Sequence, residues 1–140
     1  MATATELTID TGATAMEMAE AIFGDGITVQ TATYTGAATA SGIFSGADTS
    51  SPGVAPSDTG VILSTGNVNS FANNSGTTNT NTSTGTSGFN GTAGDADLTA
   101  LSGSTTSDAA ILEATFLSTG NVLTLDFMFG SEEFPEFFAD

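Results

Sequence analysis

The chain has no lysine, arginine, histidine, cysteine or tryptophan, and these absences remove whole classes of chemistry. Without Lys or Arg there is nothing to neutralise phosphates, which excludes nucleic acid as a partner and argues against an anionic membrane surface. A Walker-type phosphate loop needs its Lys. Serine and cysteine nucleophiles need a His or Lys base. Only a carboxylate-only enzyme survives this list, such as a glycosidase with two acids about 5–10 Å apart. The adjacent Glu132 and Glu133 do not form such a pair, because neighbours in a strand point to opposite faces. The expectation is a protein that is not an enzyme. The lack of cysteine removes a disulfide framework and any thiolate metal site, and without imidazole or sulfur, zinc and copper are poor fits.

Long hydrophobic runs are also missing. No segment approaches the roughly 20 consecutive apolar residues of a membrane span, so direct membrane insertion is not expected. Residues 1–10 lack the basic and apolar parts of a signal peptide, which leads us to expect an export signal already removed or carried elsewhere in a longer protein. What is present is 39% apolar residues, including ten Phe, enough for the core of one domain over residues 1–140. The sixteen charged side chains are all carboxylates, for a formal net charge of −16. No side-chain salt bridge can form, and self-repulsion works against a compact state unless cations or a partner offset it. Calcium suits this composition, because it takes about six to eight oxygen ligands from carboxylates, amides and carbonyls.

Along the chain, Leu7 and Ile9 alternate as in a short strand. Residues 13–23 change to a helical period, with Ala15, Ala19, Ile22 and Phe23 on one face. Asp10 or Thr11 is the expected N-cap and Gly24 the expected stop. Residues 27–35 alternate as a strand, with Ile27, Val29, Thr31 and Thr33 on one side and Thr28, Gln30, Ala32 and Tyr34 on the other. Residues 47–60 read as a structured loop and 61–65 as a strand. Residues 67–94 read as one long polar loop, with Phe71 and Phe89 as its only large apolar anchors, serving either as surface or as a ligand loop. Residues 109–117 and 122–129, separated by Ser118, Thr119, Gly120 and Asn121, predict a β-hairpin. In it Ala110, Leu112, Ala114 and Phe116 face the core together with Leu123, Leu125, Phe127 and Phe129. The fold class expected is all-β, an antiparallel two-sheet sandwich of jelly-roll type with one short N-terminal helix.

The acids gather in three places: Asp48 with Asp58; Asp95 with Asp97 and Asp108; and Glu132, Glu133 and Glu136 with Asp140. None matches an EF-hand loop or a Gly-Gly-x-Gly-x-Asp repeat. Asp48, Asp108, Glu132, Glu133 and Glu136 are the candidate ligands of a structural calcium ion, with solvated acids as the competing reading. Phe134, Phe137 and Phe138 crowd the C-terminal segment, where solvent would waste them, so packing on the domain or on a neighbour is expected.

Several segments carry a family resemblance: IDTGATAMEMAEAIFGDGITV, TYTG, SGIFSGADTSSPGVAPSDTGVILSTG, DADLTALSG, SDAAILEATF and FMFGSEEFPEF. In this order, across nearly the whole chain, they resemble the choice-of-anchor L domain. The resemblance implies an extracellular or cell-surface module of a bacterial protein, in a family whose domains continue past the SEEFPE motif with further strands. Residues 1–140 would then be the N-terminal part of a longer protein. A sheet short of strands leaves an open edge that a segment of another copy can fill by β-strand addition, head to tail, producing filaments. The donors expected are residues 1–10, through Leu7 and Ile9, or the C-terminal segment, through Phe134, Phe137 and Phe138. The leading reading is a non-catalytic structural or adhesive module that self-associates. The alternative is a calcium-dependent glycan-binding domain using Tyr34, Phe71, Phe89 and residues 67–94, and other surface proteins are further possible partners. Chelation is expected to lower the thermal unfolding midpoint, because a ligand bound only to the native state raises stability. A midpoint unchanged by chelator would remove calcium from this reading.

Overall fold

The computed structural model describes residues 6–50, 52–72 and 90–130. Five strands and four short helices follow one another in these residues: β1 (Thr8–Asp10), α1 (Ala15–Ile22), β2 (Ile27–Thr35), β3 (Ser41–Ser45), α2 (Ala47–Ser50), β4 (Thr59–Leu63), α3 (Val68–Ala72), α4 (Ala96–Ser102) and β5 (Ile111–Ser118). They form two antiparallel sheets, one in the order β1-β3-β4 and one pairing β2 with β5. The chain is thus mostly β with antiparallel sheets, but four helices among the described residues replace the single one expected.

Helix α1 sits where its capping chemistry is best. Thr14 is the N-cap: its hydroxyl accepts from Glu17 N at 3.3 Å, while Glu17 Oε2 accepts from Thr14 N at 2.7 Å. This reciprocal capping box satisfies two otherwise orphaned donors, and it displaces the cap expected at Asp10 or Thr11. Asp10 instead accepts from Gly12 N in a tight turn before the helix. The helix stops at Phe23, one residue before the expected Gly24. Its buried residues are Met18 and Ala19, and the 3.6-residue period places them on the side carrying Ala15 and Ile22.

Through that side α1 packs on β2 and β5 of one sheet and on β3 and β4 of the other. The helix is therefore the main bridge between the sheets. Phe23, just past its end, stacks on Phe116 of β5 with ring centroids 4.6 Å apart, within the range of favourable aromatic pairs. The fully buried apolar side chains among the described residues are Met18, Ala19, Ala40, Ala47 and Val68, a small set in which Met18 and Val68 are the largest.

Strand β2 departs from the alternation expected of it. The register steps from Val29↔Phe116 to Thr31↔Thr115, leaving Gln30 without a cross-strand partner. This bulge shifts the phase of every later side chain. Ile27, Val29, Ala32 and Tyr34 are the half-buried residues, whereas Thr31 and Thr33 are exposed. The two-sided division of residues 27–35 predicted from strict alternation is corrected accordingly. On the outer face Thr31 and Thr115 hydroxyls meet at 2.6 Å across the strands.

The predicted hairpin of residues 109–117 with 122–129 is also corrected. The first strand forms, with Leu112, Ala114 and Phe116 half-buried and Glu113 and Thr115 exposed, but it pairs with β2. Thr119 explains why: its N–H and its hydroxyl both donate to Gly26 O, at 2.9 and 3.1 Å. The turn that was to close a hairpin ties the end of β5 to the start of β2, and residues 121–130 continue as exposed, non-strand chain.

Within the three-stranded sheet, Gly42 of β3 lets β1 approach. A Cβ there would meet Asp10 O at 2.7 Å and Ile9 Cγ2 at 2.8 Å. Met18 is the largest side chain holding α1 between the sheets, so Met18→Ala is expected to destabilise the domain by about 2–5 kcal/mol, measured by urea unfolding. A loss below about 0.5 kcal/mol would show that the bridge does not carry the core.

Candidate functional site

With no side-chain cation available, the described carboxylates turn to backbone donors. Asp58 Oδ1 accepts from Asp48 N at 2.9 Å at the start of α2, and Asp58 O accepts from Ala47 N. Asp95 is the N-cap of α4, accepting from Leu98 N at 2.8 Å, with Asp97 in the first turn; both suit the positive end of the helix. Gly103, in the left-handed region at φ 71°, ends that helix. The cap and stop of α4 are legible in the sequence at Asp95 and Gly103, in a stretch for which no helix was expected. Glu17 shows the electrostatic effect most directly. Hydrogen bonds from the Thr14 backbone N–H, then from its hydroxyl, hold its carboxyl below the usual glutamate range.

Asp108 is different, because it is buried, at 2% exposure. It stands just before β5 with φ 54°, the one described non-glycine residue at positive φ, a conformation that Asp tolerates better than most. Its Oδ1 accepts from Thr92 N at 2.6 Å and from Thr92 Oγ1 at 3.1 Å. In return its own N–H donates to Thr92 O at 3.1 Å, and Ala109 N donates to Ala93 O at 3.1 Å. Residues 92–95 and 106–109 are thus stapled together, with an isolated antiparallel bridge between Ala93 and Ser107. Thr106 completes the knot: its hydroxyl donates to Asp95 O at 3.0 Å and accepts from Asp95 N at 3.1 Å, and it lies 2.7 Å from Thr99 Oγ1. Gly94 has no side chain to obstruct this crossing, where a Cβ would collide with the Thr106 carbonyl.

A second feature is apolar. Val122, Leu123, Leu125, Phe127, Met128 and Phe129 are all exposed, Val122 by 78%, Phe127 by 80% and Phe129 by 84%. Leu123 and Leu125 form one wall of a groove of about 280 Å³ whose other walls are Ala19, Ile22 and Phe23 beside Leu112 and Ala114.

The candidate calcium ligands do not assemble among the described residues. Asp48 lies on α2 beside Asp58, Asp108 lies at the Thr92 staple, and no group of three acids is placed to hold an ion among the described residues. Glu132, Glu133 and Glu136 lie outside them, as do Phe134, Phe137, Phe138 and Phe89. Ile9 lies in β1, paired with Phe44 of the chain's own β3, and Leu7 directly precedes that strand. The Tyr34 hydroxyl donates to Ala37 O at 2.9 Å. Residues 67–94 include α3, which contains Phe71, and Asn90, whose amide donates to Thr65 O.

Residues 7–140 match the choice-of-anchor L domain. The chain belongs to that family. No curated protein and no solved structure matches it. Family membership makes this choice-of-anchor L domain a module of bacterial surface or extracellular proteins, and none of its described helices is long and apolar enough to cross a membrane. The Thr92–Asp108 staple depends on the close crossing at Gly94. Gly94→Ala is expected to cost about 1–3 kcal/mol in chemical denaturation, whereas a neutral effect would mean that the crossing relaxes freely.

Proposed function

We propose that this choice-of-anchor L domain is a non-catalytic structural or adhesive module that self-associates by β-strand addition, through residues 122–129 of one copy and a free sheet edge of the next. The supporting observation is the exposure of that apolar segment, whose alternating sequence is that of a strand but which pairs with no strand among the described residues. A two-stranded sheet is marginal by itself, and among the described residues β2 and β5 are each other's sole strand neighbours. The segment is about as long as β5 and would extend that sheet. In the other sheet β1, preceded by Leu7 and carrying Ile9, and β4 are the edge strands, so each offers a second acceptor. Added strands would complete a two-sheet sandwich of jelly-roll type around α1. Successive head-to-tail addition does not close on itself and yields a filament.

A glycan-binding role gains nothing from the Tyr34 hydroxyl, which is already engaged by Ala37 O. The net charge of −16 opposes association between copies, so assembly is expected to strengthen with salt as repulsion is screened. Sedimentation velocity and negative-stain microscopy across a salt series test this. Replacing Leu125 and Phe127 together with Ser is expected to weaken association about tenfold or more without loss of the folded signal. Because the chain has no cysteine, cysteines introduced at Thr124 and Glu113 report the partner directly. A disulfide between chains is expected. A disulfide within one chain, or a monomer at every salt concentration, defeats the proposal.

A further inference from the structure

Three buried side-chain oxygens among the described residues have no hydrogen-bond partner: Ser50 Oγ, Asn69 Oδ1 and Asp108 Oδ2. The first two are neutral. The third belongs to a carboxylate that is 2% exposed, and an uncompensated buried charge is far more costly than a bare hydroxyl or amide oxygen. In an ordinary protein a Lys, Arg or His would answer it, but this chain has none. Thr92 answers only half, because its N–H and its hydroxyl both go to Oδ1.

A proton on Oδ2 would remove the charge and create a buried hydroxyl needing an acceptor of its own. A water would need further polar partners around it. A hard cation removes the charge and asks only for oxygen ligands. The crossing of residues 92–95 with 106–109 is rich in oxygens: the Thr92 and Thr106 hydroxyls, the Thr92 and Asp95 carbonyls, which also accept hydrogen bonds there, and the Thr106 carbonyl beside Gly94.

We propose that Asp108 is the anchoring carboxylate of a calcium site at this crossing, with Oδ2 as the ligand and Oδ1 held in place by Thr92. The site stands whether or not the domain self-associates. It narrows the acids expected from sequence to one buried residue and does not require Asp48. A site with a single carboxylate has the low ligand charge of weak extracellular calcium modules, for which Kd is about 10⁻⁴–10⁻³ M. Magnesium, which demands near-ideal octahedral geometry and keeps its waters, fits poorly.

The test is calcium titration of the full chain by calorimetry and thermal unfolding, against magnesium and against sodium chloride at matched ionic strength. Calcium at about ten times Kd is expected to raise Tm by about 5 °C, and magnesium far less. Asp48→Asn is expected to keep this response and Asp108→Asn to lose it. Should Asp108→Asn fail to fold, the wild-type chain decides: the carboxyl carbon resonance of Asp108 must move during the titration with the calorimetric midpoint. The proposal is overturned by the absence of calcium-specific stabilisation, by a folded Asp108→Asn with the wild-type response, or by an Asp108 carboxyl resonance that stays still.

Discussion

Hydrogen bonds from backbone N–H groups to carboxylates organise this domain, because its sequence provides no cationic side chain to pair with them. Glu17 closes the capping box of α1, Asp58 receives the Asp48 N–H at the start of α2, Asp95 caps α4, and Asp108 is bound by Thr92. In each case the donor is a main-chain group that would otherwise lack a partner, at a helix start or in a loop. The same bond therefore serves two needs, dispersing a negative charge and completing the backbone. Of the short helices, which their own propensity would not sustain, α1, α2 and α4 begin where an acid accepts from a main-chain N–H at their start, whereas α3 follows Asn67, whose side-chain oxygen accepts from Asn69 N.

Around these fixed points the packing is economical. The sheets are joined chiefly through α1, whose Met18 and Ala19 are buried while most other apolar side chains are only half-covered. Small residues such as Ala40 and Ala47 fill the rest of the buried set. Among the described residues, such a core leaves β1 and β4 at the edges of one sheet, β2 and β5 as the whole of the other, and the apolar run of residues 122–129 exposed.

Much of the local structure was legible in the sequence. The β1 and β5 segments overlap the stretches where alternation placed them, and α1 lies within residues 13–23, because apolar periodicity is a local signal, whereas β4 runs over Thr59–Leu63, two residues before the strand expected at 61–65. The site was less legible. Asp108 stood among the candidate ligands for its residue type alone, and nothing in its neighbourhood announced that it would be buried. Its burial comes from Thr92, sixteen positions earlier, and from the crossing that Gly94 permits. The helix of residues 96–102 has its signals in Asp95 and Gly103, but it is short and buries none of its residues, so no apolar period marks it in the sequence.

Composition by itself closes side-chain salt bridges, disulfides and thiolate metal ligands to this chain, and the ordered motifs determined its family, because neither depends on how distant segments meet. Strand partnership was decided only by the tertiary structure. Residues 111–118 could pair with the segment after them or with β2 far before them. The choice went to β2 because Phe116 stacks on Phe23 and Thr119 is tied to Gly26. The bulge at Gln30 is of the same kind: it brings Ile27, Val29, Ala32 and Tyr34 to one face. Alternation within a single strand contains no record of the partner that imposes such a shift.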